Sequence, residues 1–198
     1  MSPFDECPTL NHNFLMNIII WNCRGALKPS FQSRVKELVW NHNSTIPVVM
    51  ETQVGGERTR EITDRIPFDG VIHTDTIGYA GGLWVLWNSD RVDISPLSNI
   101  KQEIHVVVKV QFFSATWLFS VVYATPRNVE RHVLWNNHIK VAELHNMPWI
   151  IASDFNESLL ENDKFGGRAM SVNRSLLFKE CLDKCNMIDI GFSGPWFT

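Results

Sequence analysis

Cysteine is scarce in this chain: Cys7, Cys23, Cys181 and Cys185 are the four among 198 residues. That is too few for a disulfide scaffold, and a chain of this length buries enough apolar surface to fold without staples. Cys181 and Cys185 stand four apart in a helical pattern and share a face. No second cysteine pair and no His-x-x-x-His lies near them to complete a zinc site, so buried free thiols are expected. Long apolar runs are missing too. The longest, from Asn17 to Trp21 and from Leu83 to Trp87, fall far short of the roughly 18 residues of a membrane span. Neither charge dominates: 18 Lys and Arg face 21 Asp and Glu, for a net charge of -3. This excludes a strongly basic nucleic-acid coat but not a local basic groove. There is no internal repeat, no low-complexity tract and no block of Lys and Arg that would serve as a nuclear address. The first fifteen residues lack the basic start and apolar core of a signal peptide. An intracellular, reducing compartment is therefore expected, with residues 1–15 a disordered extension and residues 16–198 one domain.

What is present is an ordinary globular composition, 44% hydrophobic and 20% charged, arranged as strands and helices in turn. The run from Asn17 to Asn22 reads as a buried strand. Ser30 is a candidate N-cap for a helix over Phe31 to Asn43, where Phe31, Val35, Leu38 and Val39 form one apolar stripe. Strands follow from Ile46 to Glu51 and from Phe68 to Thr74, with a short polar helix from Glu57 to Ile66 between them. Gly81-Gly82 precede a strand from Leu83 to Asn88. Three more, from Val92 to Asn99, Ile104 to Phe112 and Thr116 to Tyr123, are spaced for antiparallel pairing. A long helix runs from Asn128 to Asn146 and is broken by Pro148. A strand from Trp149 to Ala152, a loop holding Gly166-Gly167 and a helix from Val172 to Asn186 complete the reading. The pattern predicts an α/β sandwich, with mixed sheets face to face and helices outside.

Four strand ends carry polar residues that the strands do not need: Asn22, Glu51, Tyr123, and the pair Asp154 and Asn156. Polar groups gathered at strand termini are a common way to build a site on a rigid scaffold. Each also has a local reading. Asn22 precedes a glycine turn, and Glu51 could be a surface carboxylate. Tyr123 could be a core aromatic with a bonded hydroxyl, and Asp154-Phe155-Asn156 an Asx-type turn.

Taken in order, these segments match a family. MNIIIWNCRG (16–25), VVMETQ (48–53), GGLWVLWN (81–88), VVYATP (121–126) and PWIIASDFNE (148–157) resemble the endonuclease/exonuclease/phosphatase superfamily. The likeness is nearest to the endonuclease domain of plant LINE-type, non-LTR retrotransposons. KFGGR (164–168) and IDIGFSGPWFT (188–198) fit as well. The resemblance implies a four-layer α/β/β/α sandwich and a phosphodiesterase that hydrolyses DNA with Mg²⁺, or Mn²⁺ in its place. It implies no small organic cofactor and no membrane partner, and a nuclear location for work on chromosomal DNA. By resemblance, Glu51 is the principal metal ligand and Asn22 holds the metal and phosphate network. Tyr123 contacts the scissile phosphate, Asp154 orients or deprotonates the attacking water, and Asn156 supports the phosphate and developing charge. A hard cation suits carboxylate oxygen, and neutral donors stabilise an oxyanion without repelling it.

Two departures stand out. Ser153 occupies the position where the family usually has Gly, which restricts the backbone more. No Ser-Asp-His motif occurs, whereas the family completes its catalytic set with one in further C-terminal strands. The seven histidines are His12, His42, His73, His105, His132, His138 and His145. Those of the long helix are expected on a solvated face. The resemblance thus implies a domain incomplete at its C-terminus, with an uncovered sheet edge through which copies could associate. Three readings remain open. One is an active endonuclease, with phosphatases the other option within the family. The second is an inactive retroelement remnant that binds nucleic acid or metal weakly. The third is a generic α/β interaction module.

Overall fold

The computed structural model describes residues 16–76, 81–111, 113–125, 127–157, 171–191 and 193–194. The expected extension at 1–15, the Gly166-Gly167 loop and the tail bearing Trp196 and Phe197 lie outside the described residues.

The chain opens with β1 (Asn17–Asn22), α1 (Phe31–His42), β2 (Ser44–Met50), α2 (Glu57–Thr63), β3 (Gly70–His73) and β4 (Leu83–Trp87). These strands form one sheet in the order β1-β2-β4-β3. β1 and β2 are parallel, with α1 as their crossover, and β2, β4 and β3 are antiparallel. The second sheet has β5 (Val92–Ile100), β6 (Glu103–Val110), β7 (Thr116–Tyr123) and β8 (Trp149–Asp154) in sequence order. β5 to β7 make the expected antiparallel meander. β8 joins β7 in parallel after the crossover helix α3 (Asn128–Leu144), and α4 (Val172–Lys184) follows.

Three apolar layers hold the four-layer sandwich together. Between the sheets, Ile46, Val48, Leu83 and Val85 of the first pack on Ile104, Val106, Phe119 and Val121 of the second. Outside the first sheet, Val49, Trp84 and Leu86 meet Phe31 and Val35 of α1 and Ile62 of α2. Outside the second, Val122 and Ala124 meet Leu134 and Trp135 of α3 and Phe178 and Cys181 of α4. Because side chains alternate along a strand, each sheet feeds two layers. Cys181 and Cys185 are buried free thiols, as the helical spacing predicts. Edge strand β1 is less covered: Ile20 is half exposed.

Two local expectations are corrected. Ser30 precedes α1, but its hydroxyl makes no capping bond. Its backbone lies in the helical region (φ -82°, ψ -3°) rather than the extended region an N-cap needs. The helix closes instead at Asn43, which is left-handed (φ 46°) and returns its N–H to the Val39 carbonyl. The histidines of α3 do not share a solvated face either. His132 is exposed, but His138 is 1% exposed.

His138 is buried because the outer face of β6 presents Glu103 and His105 to α3. His105 Nδ1 is 2.6 Å from Ser120 Oγ, and its Nε2 is 2.9 Å from Glu103 Oε2. Asn137 donates to Glu103 Oε1 at 2.8 Å, and the Trp149 indole donates to Ser120 at 2.8 Å. The Ser-His-Glu order has the look of a catalytic triad, yet every member is under 5% exposed. No substrate reaches it, so it serves to seat α3 on the sheet. His138 Nε2 lies 3.7 Å from Glu103 Oε2 and makes no hydrogen bond among the described residues. Burial lowers its pKa from 6.5 to about 4, helped by His105 and opposed by Glu103. Unfolding frees the imidazole to take a proton, so the unfolded chain binds more protons between about pH 6.5 and pH 4. Stability should therefore fall as pH drops through that window. Urea midpoints measured across it should show a slope that His138→Leu flattens.

Candidate active site

A parallel pair of strands ends on one side, and this chain has two such pairs. In the first, Asn22 is level with Met50, so Glu51 emerges beside it. In the second, Tyr123 is level with Asp154. Backbone bonds continue the pairing past the strands. Cys23 N–H donates to the Met50 carbonyl at 3.0 Å, Gly25 to Glu51 at 2.8 Å, and Ala26 to Thr52 at 2.8 Å. Thr52 and Gln53 donate in turn to Gly82 and Gly81 at 3.2 and 3.0 Å. Clamped on both sides, Glu51 is held in the left-handed region (φ 52°), a conformation that costs about 1–3 kcal/mol without glycine. Gly82 (φ 87°) permits the clamp, because a Cβ there would overlap the Thr52 hydroxyl.

Electrostatics show which side chains meet. The Tyr123 phenol is pushed up to about 12, by burial first, then by the Glu51 charge, a hydrogen bond to Glu51, and the Asp154 charge. The Asp154 carboxyl is raised by burial and by Glu51, against the Asn156 N–H, the Asn22 side chain and the Arg24 cation. Asn22, Glu51, Tyr123 and Asp154 therefore converge from both sheets. The Asn22 oxygen accepts from the Arg24 N–H at 3.2 Å, which leaves its amide group to donate toward Asp154. Asn156 adjoins the cluster differently. It is exposed and left-handed (φ 48°). Its N–H donates to Asp154 Oδ1 at 3.2 Å, and its side chain donates to the Ala124 carbonyl at 2.8 Å. The Asx turn of the local reading is thus present as well, and it braces Asp154.

Asp154 is the last residue of β8 rather than a residue beyond it. Ser153 pairs with Val122 inside the ladder and is not among the positive-φ residues, so its backbone does not need glycine. Sequence reasoning assigned no role to Arg24, which is exposed, left-handed (φ 49°) and attracts Asp154. Its signal was available: it is the one cation inside the WNCRG segment. Among the described residues, the groups acting on Asp154 and Tyr123 include no histidine.

Among the described residues no three His, Cys, Asp or Glu side chains form a metal-holding group. The cluster offers two carboxylates and an amide oxygen. That donor set suits a hard cation such as Mg²⁺, which takes one or two carboxylates and keeps several waters. Glu51 already raises the Asp154 carboxyl, a repulsion that a divalent cation would relieve.

No family model matches the sequence, and no curated protein is similar to it. Solved structures are similar in shape. The AP endonuclease LMAP from Leishmania major superposes with a TM-score of 0.69 at 13% identity, over 87% of this chain and 67% of that one. The endonuclease domain of TRAS1, a telomere-specific non-LTR retrotransposon, gives 0.57 at 12%, over 85% and 69%. An endonuclease/exonuclease/phosphatase family protein from Bacteroides thetaiotaomicron gives 0.55 at 14%, over 72% and 64%. The chain has the endonuclease/exonuclease/phosphatase fold. It spans about two thirds of the length of these structures, and at such identities the likeness is one of fold.

A half-buried carboxylate beside another is a burden on the folded state. In metal-free buffer at neutral pH, Asp154→Asn should raise stability by on the order of 1 kcal/mol, because the amide keeps the Asn156 bond and drops the charge. Thermal midpoints with and without EDTA check this.

Proposed function

We propose that the chain is a divalent-metal-dependent phosphodiesterase that cleaves DNA internally, as the endonuclease of a non-LTR retrotransposon. The observation that carries this reading is the convergence of Asn22, Glu51, Tyr123 and Asp154 at one end of the sandwich. The similar structures include an AP endonuclease and a retrotransposon endonuclease domain, which supports a nucleic-acid phosphodiester as substrate. The plant LINE-type assignment rests on the WNCRG and SDFN segments, and a nuclear location follows from a chromosomal substrate.

In this reading Glu51 and Asp154, with Asn22 beside them, would hold Mg²⁺, which when bound offsets the charge of the phosphodiester. Asp154 accepts the proton of the attacking water. Oxygen attacks phosphorus, the bond to the leaving oxygen breaks, and that oxygen takes a proton from solvent water. With a pKa of about 12, Tyr123 stays protonated at neutral pH and donates to a non-bridging oxygen. Asn156 fixes the Asp154 carboxylate through its N–H. Arg24 supplies positive charge at the rim.

One observation favours a second reading, a folded remnant that binds metal without turnover. His105 and His138 are buried in another network, and among the described residues no histidine acts on the cluster. Supercoiled plasmid separates the two. The endonuclease reading expects Mg²⁺-dependent nicking that EDTA abolishes and that Asp154→Ala lowers by about 10²–10⁴-fold. Absence of nicking by a chain that circular dichroism shows to be folded would establish the remnant.

A further inference from the structure

The Asp154–Asn156 turn is gripped from behind by groups that the proposed chemistry does not use. Arg131 of α3 is 1% exposed. Its Nη1 donates to the Asn156 carbonyl at 2.7 Å and lies 3.2 Å from Glu157 Oε2. The Glu157 side chain is 5% exposed and receives a two-pronged bond from Arg174 of α4, at 2.9 and 3.1 Å. One residue earlier, the Phe155 ring packs on Trp135 of α3 and Phe178 of α4, with centroids 5.9 and 4.7 Å away. Three consecutive residues, 155 to 157, are thus fastened to both helices while Asp154 faces the cluster.

This clasp is a poor way to gain stability alone. Among the described residues, Arg131 Nε and Nη2 are buried without hydrogen-bond partners. Each unmade bond costs free energy, and a buried ion pair is often no better than apolar packing. What the guanidinium does supply is direction. It is flat and always charged, and one of its nitrogens, Nη1, reaches both the Asn156 carbonyl and the Glu157 carboxylate. Fixing that carbonyl fixes the peptide plane that follows it. It also pins the left-handed Asn156, whose N–H is the brace of the Asp154 carboxylate.

We infer that Arg131 is a positioning residue for Asp154, acting through the Asn156 backbone, with Glu157 and Arg174 holding it in place. The catalytic consequence rests on the phosphodiesterase reading; the structural consequence does not. Displacement of a reacting group by about 1 Å can cost on the order of 10²-fold in rate.

The experiment compares the full chain with Arg131→Met and Arg131→Lys. Each is first shown folded by circular dichroism, then followed by amide hydrogen exchange and by plasmid nicking in Mg²⁺. In Arg131→Met the Asn156 and Ala124 amides should exchange at least about tenfold faster, while amides of β6 keep their protection. The kcat of nicking should fall about 10–100-fold with KM for plasmid within about twofold. Arg131→Lys should recover part of kcat, since an ammonium can still donate to the Asn156 carbonyl. Unchanged exchange at the turn overturns the inference, and so does a loss that falls on KM alone. If the parent chain does not nick, the phosphodiesterase reading fails and the exchange measurement still decides the positioning role. Should Arg131→Met not fold, Arg174→Met, whose side chain is 38% exposed in the parent, takes its place. Faster exchange at the turn then supports the clasp, and no change overturns it.

Discussion

Parallel pairing is the constraint on which the site depends. Antiparallel neighbours end on opposite sides, so a meander alone scatters its strand termini. Here β1 with β2, and β7 with β8, run in parallel. Each pair needs a helix to carry the chain back, and α1 and α3 are those helices. The result is that Asn22 and Glu51 leave one sheet where Tyr123 and Asp154 leave the other. The inter-sheet layer, from Ile46 to Val121, then sets their separation. A one-residue slip in either pair would turn a site residue to the opposite face, and the buried alternation of both sheets forbids it.

Bringing those four groups together has a cost, and the surroundings show how it is met. Two carboxylates and a phenol share a partly buried space, and each charge resists the others. Opposing that are an amide from Asn22, an N–H from Asn156 and the cation of Arg24. Left-handed backbone at Arg24, Glu51 and Asn156 aims these groups, and backbone bonds to Met50, Glu51 and Ala124 hold them there. Strain and repulsion concentrated at one end of an otherwise well-packed sandwich are what a site for a charged substrate requires.

The fold was legible because its signals are local. Runs such as NIIIWN and LWVLW announce buried strands, and the stripe Phe31, Val35, Leu38 and Val39 announces a helix; the structure moves these boundaries by only a few residues. The cluster was legible in part, because polar residues at strand ends have no local reason to recur. What stayed hidden depends on register between distant segments. Ser30 looks like a cap until its dihedrals are known. His138 looks like one of three surface histidines until β6 is placed beneath α3 with Glu103 and His105 facing it. Arg131 has no motif to single it out, and only the return of the chain through Asn156 and Glu157 gives it partners.

The two buried polar groups on the α3 side differ in what they can influence. The Glu103–His105–Ser120 network lies within the β6–β7 ladder, where Glu103 pairs with Val122 and His105 with Ser120. Every one of those backbones is already fixed by strand pairing, so the network adds seating for α3 and little direction. The Arg131 clasp acts where pairing has stopped. Among the described residues the ladder ends at Asp154, and a left-handed residue left to itself would sample other conformations. Side chains from α3 and α4 therefore do for Asn156 what neighbouring strands do for Val122. The crossover helix that makes the parallel pair possible also supplies the residue that holds the end of that pair in place.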